Sequence, residues 1–455
     1  MLARGEKIQT LPRLAIAATS EAERRCEVFV IGCGPAGSTI STLLAQKGRD
    51  VAVVDKDRHP RFHIGESLLP LNMPILQRLG VWEELKQIGI QKNAAEFESH
   101  AQNRTVRFEF SEAFDKRWPF AFQVRRSEFD HMLLRNSAEK GARVYEGARV
   151  TAVEFGNPAS NEDTVVQLRL EDGTTQAWRT RFLVDASGRD TFLSARFGSK
   201  RKNKQHASAA IFGHFRNARR NSGADEGNIT IAWFEHGWFW FIPLKDGTTS
   251  VGAVCWPAYM KSRCVEPSAF LMQTIALSPE ISNRLAGAEL TAPATATGNY
   301  SYASEHMTGD GYLMVGDAWA FIDPVFSSGV YLAMNSSTLG AEVVDAVLKD
   351  PAQAPQLYRE FDRAVRQGVK TFSWLIYRMT SPAIRKLFMA PRNVFGVQSA
   401  LVSLLAGDVF RSGPVRPRMY LFRAIYYLNS LALLPAVFRA WRNRRRNLLE
   451  AGEDA

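Results

Sequence analysis

Residues 27–37 read EVFVIGCGPAG, a mostly apolar run followed by three glycines within six positions. The first part, Glu27–Ile31, predicts a short buried strand, and the glycines allow a tight turn into a helix from Pro35 to about Lys47. A second apolar run, Val51–Asp55, ends in an acid 18 residues after Gly37. Strand, turn, helix, strand and acid in this order predict a βαβ unit that binds a dinucleotide, with the pyrophosphate at the helix N-terminus. The residues expected at this cofactor are Gly32, Gly34, Pro35, Ala36, Gly37 and Asp55.

The order of helical and strand-like patterns predicts an α/β fold in several parts. Both patterns alternate up to about residue 140, a mostly β pattern follows up to Trp256, and a helical pattern dominates beyond about Pro355. We expect a Rossmann-like cofactor-binding domain that is interrupted by a β-rich substrate region and followed by a C-terminal helical region. The expected bounds are 1–25 for a flexible N-terminal extension, 26–350 for the core (cofactor-binding parts about 26–200 and 305–350, β-rich parts about 90–125 and 205–300), and 351–455 for the helical region.

Several local patterns lie outside the βαβ unit. Apolar residues at helical spacing predict helices over Pro70–Lys86, Ser127–Lys140 and Ala383–Leu405. Ser127 is the expected N-cap of the second of these helices. Alternation of apolar and polar residues predicts a strand over Glu96–Phe110.

The composition limits the classes of function. The chain has a formal net charge of +11 and a pI of about 9.5, which favours acidic partners. The sequence has no zinc-finger spacing and no long basic helix outside the extreme C-terminus, so we expect no nucleic-acid partner. Four cysteines without a C-x-x-C pair and eight scattered histidines predict neither a disulfide framework nor a metal site. A reducing cytoplasm is the expected compartment.

Further motifs follow the glycine loop. Residues 238–243 read WFWFIP, and on a strand Trp238 and Trp240 point to the same side while Pro243 ends or edges the strand. From these residues alone, the aromatic wall of a site and ordinary core packing are both consistent with the pattern. The other strings are VRRSEFD at 124–130, DASG at 185–188, GD at 316–317 and FIDPVFSSG at 321–329.

Together with the glycine loop, WFWFIP resembles the W-x-W-x-I-P signature of the flavin-dependent halogenases. VRRSEFD, DASG and GD resemble motifs of the wider aromatic-hydroxylase superfamily of FAD enzymes, and the resemblance extends from about residue 28 to 347. It implies FAD, used as FADH2, as the cofactor. It also implies that Asp317 meets the ribityl chain and that Arg125 lies along the cofactor, and it adds Asp185, Gly316 and Pro324 to the cofactor site.

The resemblance implies a reaction in two compartments. In this family a flavin hydroperoxide oxidises chloride or bromide to hypohalous acid, which then travels to a separate substrate chamber. The wall between the flavin and that chamber would be formed by Trp238, Trp240, Ile242 and Pro243.

The string at 321–329 resembles the second signature of the family. It implies a halide site at Ser328 and Gly329, with Ser327 as a catalytic residue. Backbone N–H groups at the start of the following helix can hold an anion through the helix dipole. A serine-capped helix without a ligand is the alternative interpretation.

Lys92 is the amine that the resemblance implies. The family carries a lysine after a G-E-S turn and an amphipathic helix, which here are Gly65-Glu66-Ser67 and Pro70–Lys86. The amine would hydrogen-bond hypohalous acid or form a transient haloamine, and the pKa of a buried lysine shifts readily. A solvated surface lysine is the alternative interpretation, and Lys86 is the local competitor.

Two features of the resemblance concern the substrate. Phe326 stands where tryptophan-type relatives carry a glutamate, and the turn at 65–70 resembles the phenol and pyrrole branch. We therefore expect a small electron-rich phenol or pyrrole, free or tethered to an acidic carrier protein, and a separate flavin reductase as partner. An aromatic hydroxylase and a prenyl-chain reductase are the alternative functions. The basic residues that form either a carrier-docking face or a solvated loop are Lys200, Arg201, Lys202, Lys204, Arg216, Arg219 and Arg220.

The terminal stretch, Tyr420–Arg446, is apolar and then strongly basic. Arg423, Asn429 and Pro435 interrupt the apolar run, so it is a poor transmembrane span. The sequence favours a helical layer packed on the enzyme with a solvated basic end, and contact with a membrane surface is the less favoured alternative.

Overall fold

The computed structural model describes residues 24–156, 162–203, 206, 208–298, 301–411 and 413–452. Of the extension predicted at residues 1–25, residues 1–23 lie outside the described part of the chain, and Arg25 begins the first strand. The α-helices are α1 Pro35–Gln46, α2 Met73–Leu79, α3 Trp82–Ile88, α4 Arg126–Glu139, α5 Phe192–Arg196, α6 Pro257–Lys261, α7 Pro267–Ala276, α8 Pro279–Arg284, α9 Ser328–Lys349, α10 Ala354–Ile376, α11 Pro382–Met389, α12 Val397–Leu405, α13 Val415–Ala432 and α14 Leu434–Gly452. The strands are β1 Arg25–Ile31, β2 Val51–Asp55, β3 Gly89–Lys92, β4 Ala94–Ser99, β5 Arg104–Glu109, β6 Ala121–Val124, β7 Arg143–Glu146, β8 Ala148–Glu154, β9 Thr164–Leu170, β10 Thr175–Asp185, β11 Lys200–Lys202, β12 Ala209–Arg216, β13 Ile229–Phe234, β14 Gly237–Pro243, β15 Thr249–Cys255, β16 Glu289–Leu290, β17 Thr295–Thr297, β18 Tyr302–Ser304, β19 Thr308–Gly309, β20 Tyr312–Met314 and β21 Ala320–Phe321.

The first large sheet contains the strands on both sides of the glycine loop. Its order is β19-β20-β10-β1-β2-β7, and β9 and β8 extend it beyond the start of β10. The pairings β20–β10, β10–β1, β1–β2 and β2–β7 are parallel. Parallel strands bring their carboxyl ends to one edge of the sheet, where open α/β sheets bind their ligands. Asp55 is the last residue of such a strand, and the glycine loop, Ala186 and Asp317 come after the ends of β1, β10 and β20.

The second large sheet separates two apolar cores. Its order is β16-β12-β15-β14-β13-β4-β5, with β17 paired to β12. On β14, Trp238, Trp240 and Ile242 belong to the core that is shared with the first sheet. Phe239 and Phe241 belong to a second core under α7 and α8. This two-residue alternation confirms that the two tryptophans share one face of the strand.

The C-terminal helices cover the core from one side. α10 packs on α9, and α12 packs on α13. On α11, Phe388 contacts the rings of Phe97 and Trp233 in the second sheet. Among the described residues, no single helix has the length and apolar composition to cross a membrane, and α13 with Leu434–Arg446 meets that requirement only as a pair bent by 95°.

The fold class predicted from the sequence is confirmed, but two predicted helices are each broken and one predicted strand is divided into two. The helix predicted over Pro70–Lys86 is broken, because Gly80 has a left-handed φ of +85° and ends α2. The strand predicted over Glu96–Phe110 is the hairpin β4–β5, which turns at Asn103. The helix predicted over Ala383–Leu405 is interrupted between α11 and α12. The division of the chain into a cofactor part and a substrate part stays a prediction.

Candidate active site

The glycine loop joins β1 to α1 at a cavity of about 860 Å³. Gly32 has a φ of +97°, and a Cβ on Gly37 would overlap the carbonyl oxygen of Gly32. Both positions therefore need glycine for the close approach of turn and helix. The cavity is lined by Gly32, Gly34, Pro35 and Ala36. Gly37 is not part of the lining and packs against the backbone of Gly32. No side chain of the described residues caps α1, so its first N–H groups are suited to an anion.

Asp55 ends β2 beside the glycine loop. Its carboxylate accepts hydrogen bonds from the backbone N–H groups of Cys33 at 2.7 Å and Asp57 at 3.0 Å, and the guanidinium of Arg61 lies 3.9 Å away. Asp55 also lines the cavity. It thus fixes the loop and occupies the position expected for a ribose-binding acid.

Asp185 ends β10 and shapes the turn that follows. It is fully buried, and its carboxylate accepts hydrogen bonds from the backbone N–H groups of Ser187 at 2.9 Å and Leu193 at 2.8 Å. The cavity is lined by the next residues, 186–190, and not by Asp185 itself. Asp185, which the sequence predicted as a cofactor residue, therefore fixes the conformation of the loop at 186–190, and that loop borders the cavity.

Gly316 and Asp317 follow β20. Gly316 has a φ of +58°, and a Cβ there would lie 3.0 Å from that of Ala333, so it lets the chain turn against α9. Asp317 lines the cavity. Burial raises the pKa of Asp317 to about 7, although the positive charges of Arg126 and Arg189 act in the opposite direction.

The arginine that lines the cavity in this region is Arg126, the neighbour of the predicted Arg125. Arg125 is the N-cap residue of α4, in place of the predicted Ser127, and its guanidinium contacts Asp246. Arg126 is buried and donates two hydrogen bonds, of 2.7 and 3.0 Å, to the carboxylate of Asp130 one helical turn later. The structure thus places Arg126 at the cavity and Arg125 away from its lining.

β14 forms one side of the cavity. Trp238, Trp240 and Ile242 line it, whereas Pro243 ends the strand outside the lining. The indole N–H of Trp240 donates to the hydroxyl of Ser250 at 3.1 Å. The two indoles lie 6.1 Å apart between ring centroids, so they form a continuous aromatic surface.

A second cavity, of about 40 Å³, lies next to the first. Trp238 and Val325 line both cavities, so they stand between them. Asp323, Tyr377 and Arg444 are among the other lining residues of the small cavity. Burial raises the pKa of Asp323 to about 6, against the effect of a hydrogen bond from Ser208.

The N-terminus of α9 opens on the large cavity. Ser327 is the N-cap residue, has a left-handed φ of +56°, and makes no side-chain capping bond. Pro324, Ser327 and Gly329 line the cavity. Ser328 does not line it, and its buried hydroxyl has no hydrogen-bond partner among the described residues. An uncapped end of a 22-residue helix is suited to an anion.

Lys92 ends β3 as a buried amine. Its Nζ donates to the hydroxyl of Ser67 at 2.8 Å and to the carbonyl of Leu68 at 2.9 Å, and Ser67 lines the large cavity. Burial lowers the pKa of Lys92 to about 7. Lys86, the competitor, is exposed on α3 and pairs with Glu83. The geometry therefore favours Lys92 over the interpretation as a solvated surface lysine.

Sequence reasoning missed Glu66 and His214. Glu66 is buried, lines the cavity and lies 2.8 Å from Nε2 of His214 through one carboxylate oxygen. Its other oxygen is buried without a hydrogen-bond partner among the described residues. Glu66 stands inside the Gly65-Glu66-Ser67 turn, so that motif was a usable signal, whereas His214 comes from a distant strand and had none.

The basic residues predicted as a docking face are partly engaged within the chain. Lys200 lies over the ring of Tyr302 at 4.0 Å, and Arg201 pairs with Glu305 at 2.8 Å. Lys204 lies outside the described residues. A docking role for this face stays a prediction.

Comparisons with known proteins identify relatives of this chain and of its fold. Residues 25–369 match the family described as FAD binding domain. A tryptophan 2-halogenase of Chondromyces crocatus is 36% identical over 341 residues, which cover 73% of this chain and 64% of that protein's length. A 1H-pyrrole-2-carbonyl-(peptidyl-carrier protein) chlorinase of Pseudomonas fluorescens is 28% identical over 412 residues, which cover 84% of this chain and 89% of that protein. The solved structure of the myxobacterial chondrochloren halogenase has a TM-score of 0.75 and 32% identity, and the match covers 90% of this chain and 97% of that one.

The fold and the cavity define an FAD-dependent oxidoreductase. The residues present fit FAD, because a glycine-lined turn at an uncapped helix N-terminus suits its phosphates and two acids, Asp55 and Asp317, border the same cavity. More narrowly, the chain belongs to the flavin-dependent halogenase family. The family predicted from sequence resemblance is thereby confirmed.

Proposed function

We propose that this enzyme uses reduced FAD, oxygen and chloride or bromide to halogenate an electron-rich phenol or pyrrole. The observation that carries the proposal is the buried amine of Lys92, bonded to a turn that lines the FAD cavity. Bound reduced FAD supplies the electrons with which oxygen converts halide to hypohalous acid. A separate flavin reductase would supply the reduced cofactor.

The halide would bind at the N-terminus of α9. The backbone N–H groups there carry partial positive charge, and Ser327 and Gly329 border the cavity that accommodates the cofactor. Because no side chain of the described residues caps this end, an anion does not have to displace one. The left-handed backbone of Ser327 would direct the first N–H groups of α9 toward the halide.

Trp238 and Trp240 would keep the aromatic substrate away from the cofactor. Their rings form one side of the large cavity, and Trp238 also borders the small one. The indoles would exclude an aromatic ring from the cofactor, whereas the smaller hypohalous acid would pass. Direct oxygen transfer to the substrate would thus be prevented by exclusion.

Lys92 would pass the halogen on as a neutral amine. Two N–H groups of its Nζ are engaged by Ser67 and Leu68, which in the neutral amine leaves the lone pair unused. The lone pair attacks the halogen of hypohalous acid, a nitrogen–halogen bond forms, the oxygen–halogen bond breaks, and water leaves with the amine proton. The aromatic carbon then takes the halogen, and the proton of that carbon returns to the nitrogen.

This role predicts a pH dependence. Since burial lowers the pKa of Lys92 to about 7, the neutral fraction rises with pH through that value, and the halogenation rate should rise with it and then level off. Initial rates with saturating reduced FAD would measure this profile. The control is the rate of hypohalous acid formation in Lys92→Ala, measured by trapping with monochlorodimedone. This rate should not rise with pH through 7. A rate that falls as pH rises through 7 would mean that the ammonium form acts instead.

The halide site predicts the effect of a new charge. A Cβ on Gly329 meets no atom within 4 Å, so Gly329→Asp fits, and an acid at a helix N-terminus does not destabilise the helix. Its carboxylate should compete with halide and raise the half-saturating bromide concentration about tenfold. Gly329→Ala is the matched control and should keep the original value. An unchanged bromide dependence in Gly329→Asp, with FAD bound, would contradict a halide site there.

The substrate class is tested with a panel of phenols, pyrroles and indoles, free and tethered to a carrier protein. Indoles are the second candidate because the 36% identical relative is named as a tryptophan 2-halogenase. The chlorinase relative is named for a carrier-bound pyrrole, which is the reason to include carrier-tethered substrates in the panel. Mass spectrometry of products formed with FAD, a flavin reductase, NADH, oxygen and bromide would decide between them. Preferred turnover of an indole would overturn the phenol or pyrrole assignment.

A further inference from the structure

The helices α13 and α14 carry an apolar outer face, which we define as Leu428, Leu431, Leu434, Phe438 and Trp441. Each of these side chains is more than half exposed. Leu434, Phe438 and Trp441 recur at spacings of four and three residues, so they lie along one side of α14. Leu431 and Leu434 stand on either side of the bend, so exposed apolar side chains occur at the end of α13 and at the start of α14. Several large apolar side chains exposed close together in this way mark an interaction site.

The inner sides of both helices are anchored to the protein. On α13, Met419, Phe422 and Tyr426 are buried. On α14, Arg444 donates to the carbonyl of Tyr377 at 3.1 Å. The outer face is therefore presented by helices that are fixed on their other side, and the described residues do not cover it.

The charge of this region is of one sign. Residues 415–446 contain eight arginines and no acidic residue, in a chain whose formal net charge is +11. On α14, Arg439, Arg442 and Arg446 are spaced by three and four residues, so they form a second row beside the apolar one. The guanidinium of Arg445 lies 5.5 Å from the ring of Trp441, at the end of the outer face.

We propose that the outer face binds the surface of an anionic lipid bilayer, with both helices lying in the interfacial region. Apolar and aromatic side chains beside a row of arginines are the composition of interfacial helices. The arginines are complementary in charge to anionic headgroups. The 95° bend between the helices argues for lying on the membrane rather than crossing it. This inference is independent of the proposed reaction.

The test is flotation of the full-length protein with lipid vesicles. The wild type should float with vesicles of phosphatidylglycerol and phosphatidylcholine, and far less with phosphatidylcholine alone or in high salt. The double variant Phe438→Ser/Trp441→Ser should lower the vesicle-bound fraction about tenfold, and so should Arg439→Gln/Arg442→Gln. The matched control is Met272→Ser/Leu277→Ser, because these side chains are 46% and 49% exposed on another surface, against 58% and 52% for Phe438 and Trp441. The control should bind like the wild type.

Two results would overturn the proposal. One is a wild type that does not float with anionic vesicles. Another is a Phe438→Ser/Trp441→Ser variant that floats like the wild type. If the wild type does not bind vesicles and the variant halogenates free substrate normally but loses activity on a carrier-tethered substrate, the outer face docks a carrier protein instead.

Discussion

Lys92→Ala is expected to lower the rate of halogenated product formation about a thousandfold while FAD stays bound. The reason is geometric. Lys92 is a buried amine bonded to Ser67, and Ser67 borders the FAD cavity, so removal of the amine removes the group that would carry halogen to the substrate. Product formation by mass spectrometry and flavin absorbance per protein would be measured together.

Two controls separate this effect from a change in folding. Lys92→Met keeps an apolar chain of similar length in the buried space, so it should fold, bind FAD and be as inactive as the alanine variant. Lys86→Ala removes an exposed lysine on the neighbouring helix and should keep the wild-type rate. Wild-type turnover in Lys92→Met would exclude the amine from the reaction.

Gly37→Ala is expected to abolish FAD binding. The new Cβ would overlap the backbone carbonyl oxygen of Gly32, and a backbone group cannot rotate away as the end of a side chain can. α1 would have to move off β1, which we expect to lower the free energy of unfolding by about 3 kcal/mol and to displace the helix end that binds the phosphates. Flavin content and thermal unfolding would measure both effects.

Gly34→Ala is the matched control within the same loop. Gly34 has a φ of −70°, and the nearest atom to a Cβ there is the guanidinium of Arg61 at 3.7 Å, so this variant should fold. FAD content equal to that of the wild type in Gly37→Ala would show that the glycine is not needed for close packing.

The parts of the fold that follow from local sequence were predictable. The turn at Gly32, the strand ending at Asp55 and the common face of Trp238 and Trp240 each depend on residues a few positions apart. Backbone conformation and side-chain alternation act over that range. The position of Lys92 could be inferred only through family resemblance. Its partners Ser67 and Leu68 reach it through β6, which pairs with β3 and also bonds to the segment that contains Ser67 and Leu68.

The errors arise where tertiary contacts choose between neighbours. Arg125 and Arg126 adjoin in sequence, and contacts with distant parts of the chain separate them. The guanidinium of Arg126 donates to the carbonyl of Ile64 at 2.7 Å beside the cavity, whereas that of Arg125 contacts Asp246. The break at Gly80 has a local cause, but an isolated glycine in a helical pattern does not by itself end a helix. His214 and Glu66 form a hydrogen bond although they are 148 positions apart in the sequence, and no local sequence pattern predicts such a contact.

The central claim is that halogen, and not oxygen, reaches the aromatic ring. The most direct measurement is the mass of the product formed by the wild type under oxygen-18 gas with bromide, reduced FAD and a preferred aromatic substrate. We predict a brominated product without oxygen-18. A product that contains oxygen-18 and no bromine would show direct oxygen transfer and would contradict a wall at Trp238 and Trp240.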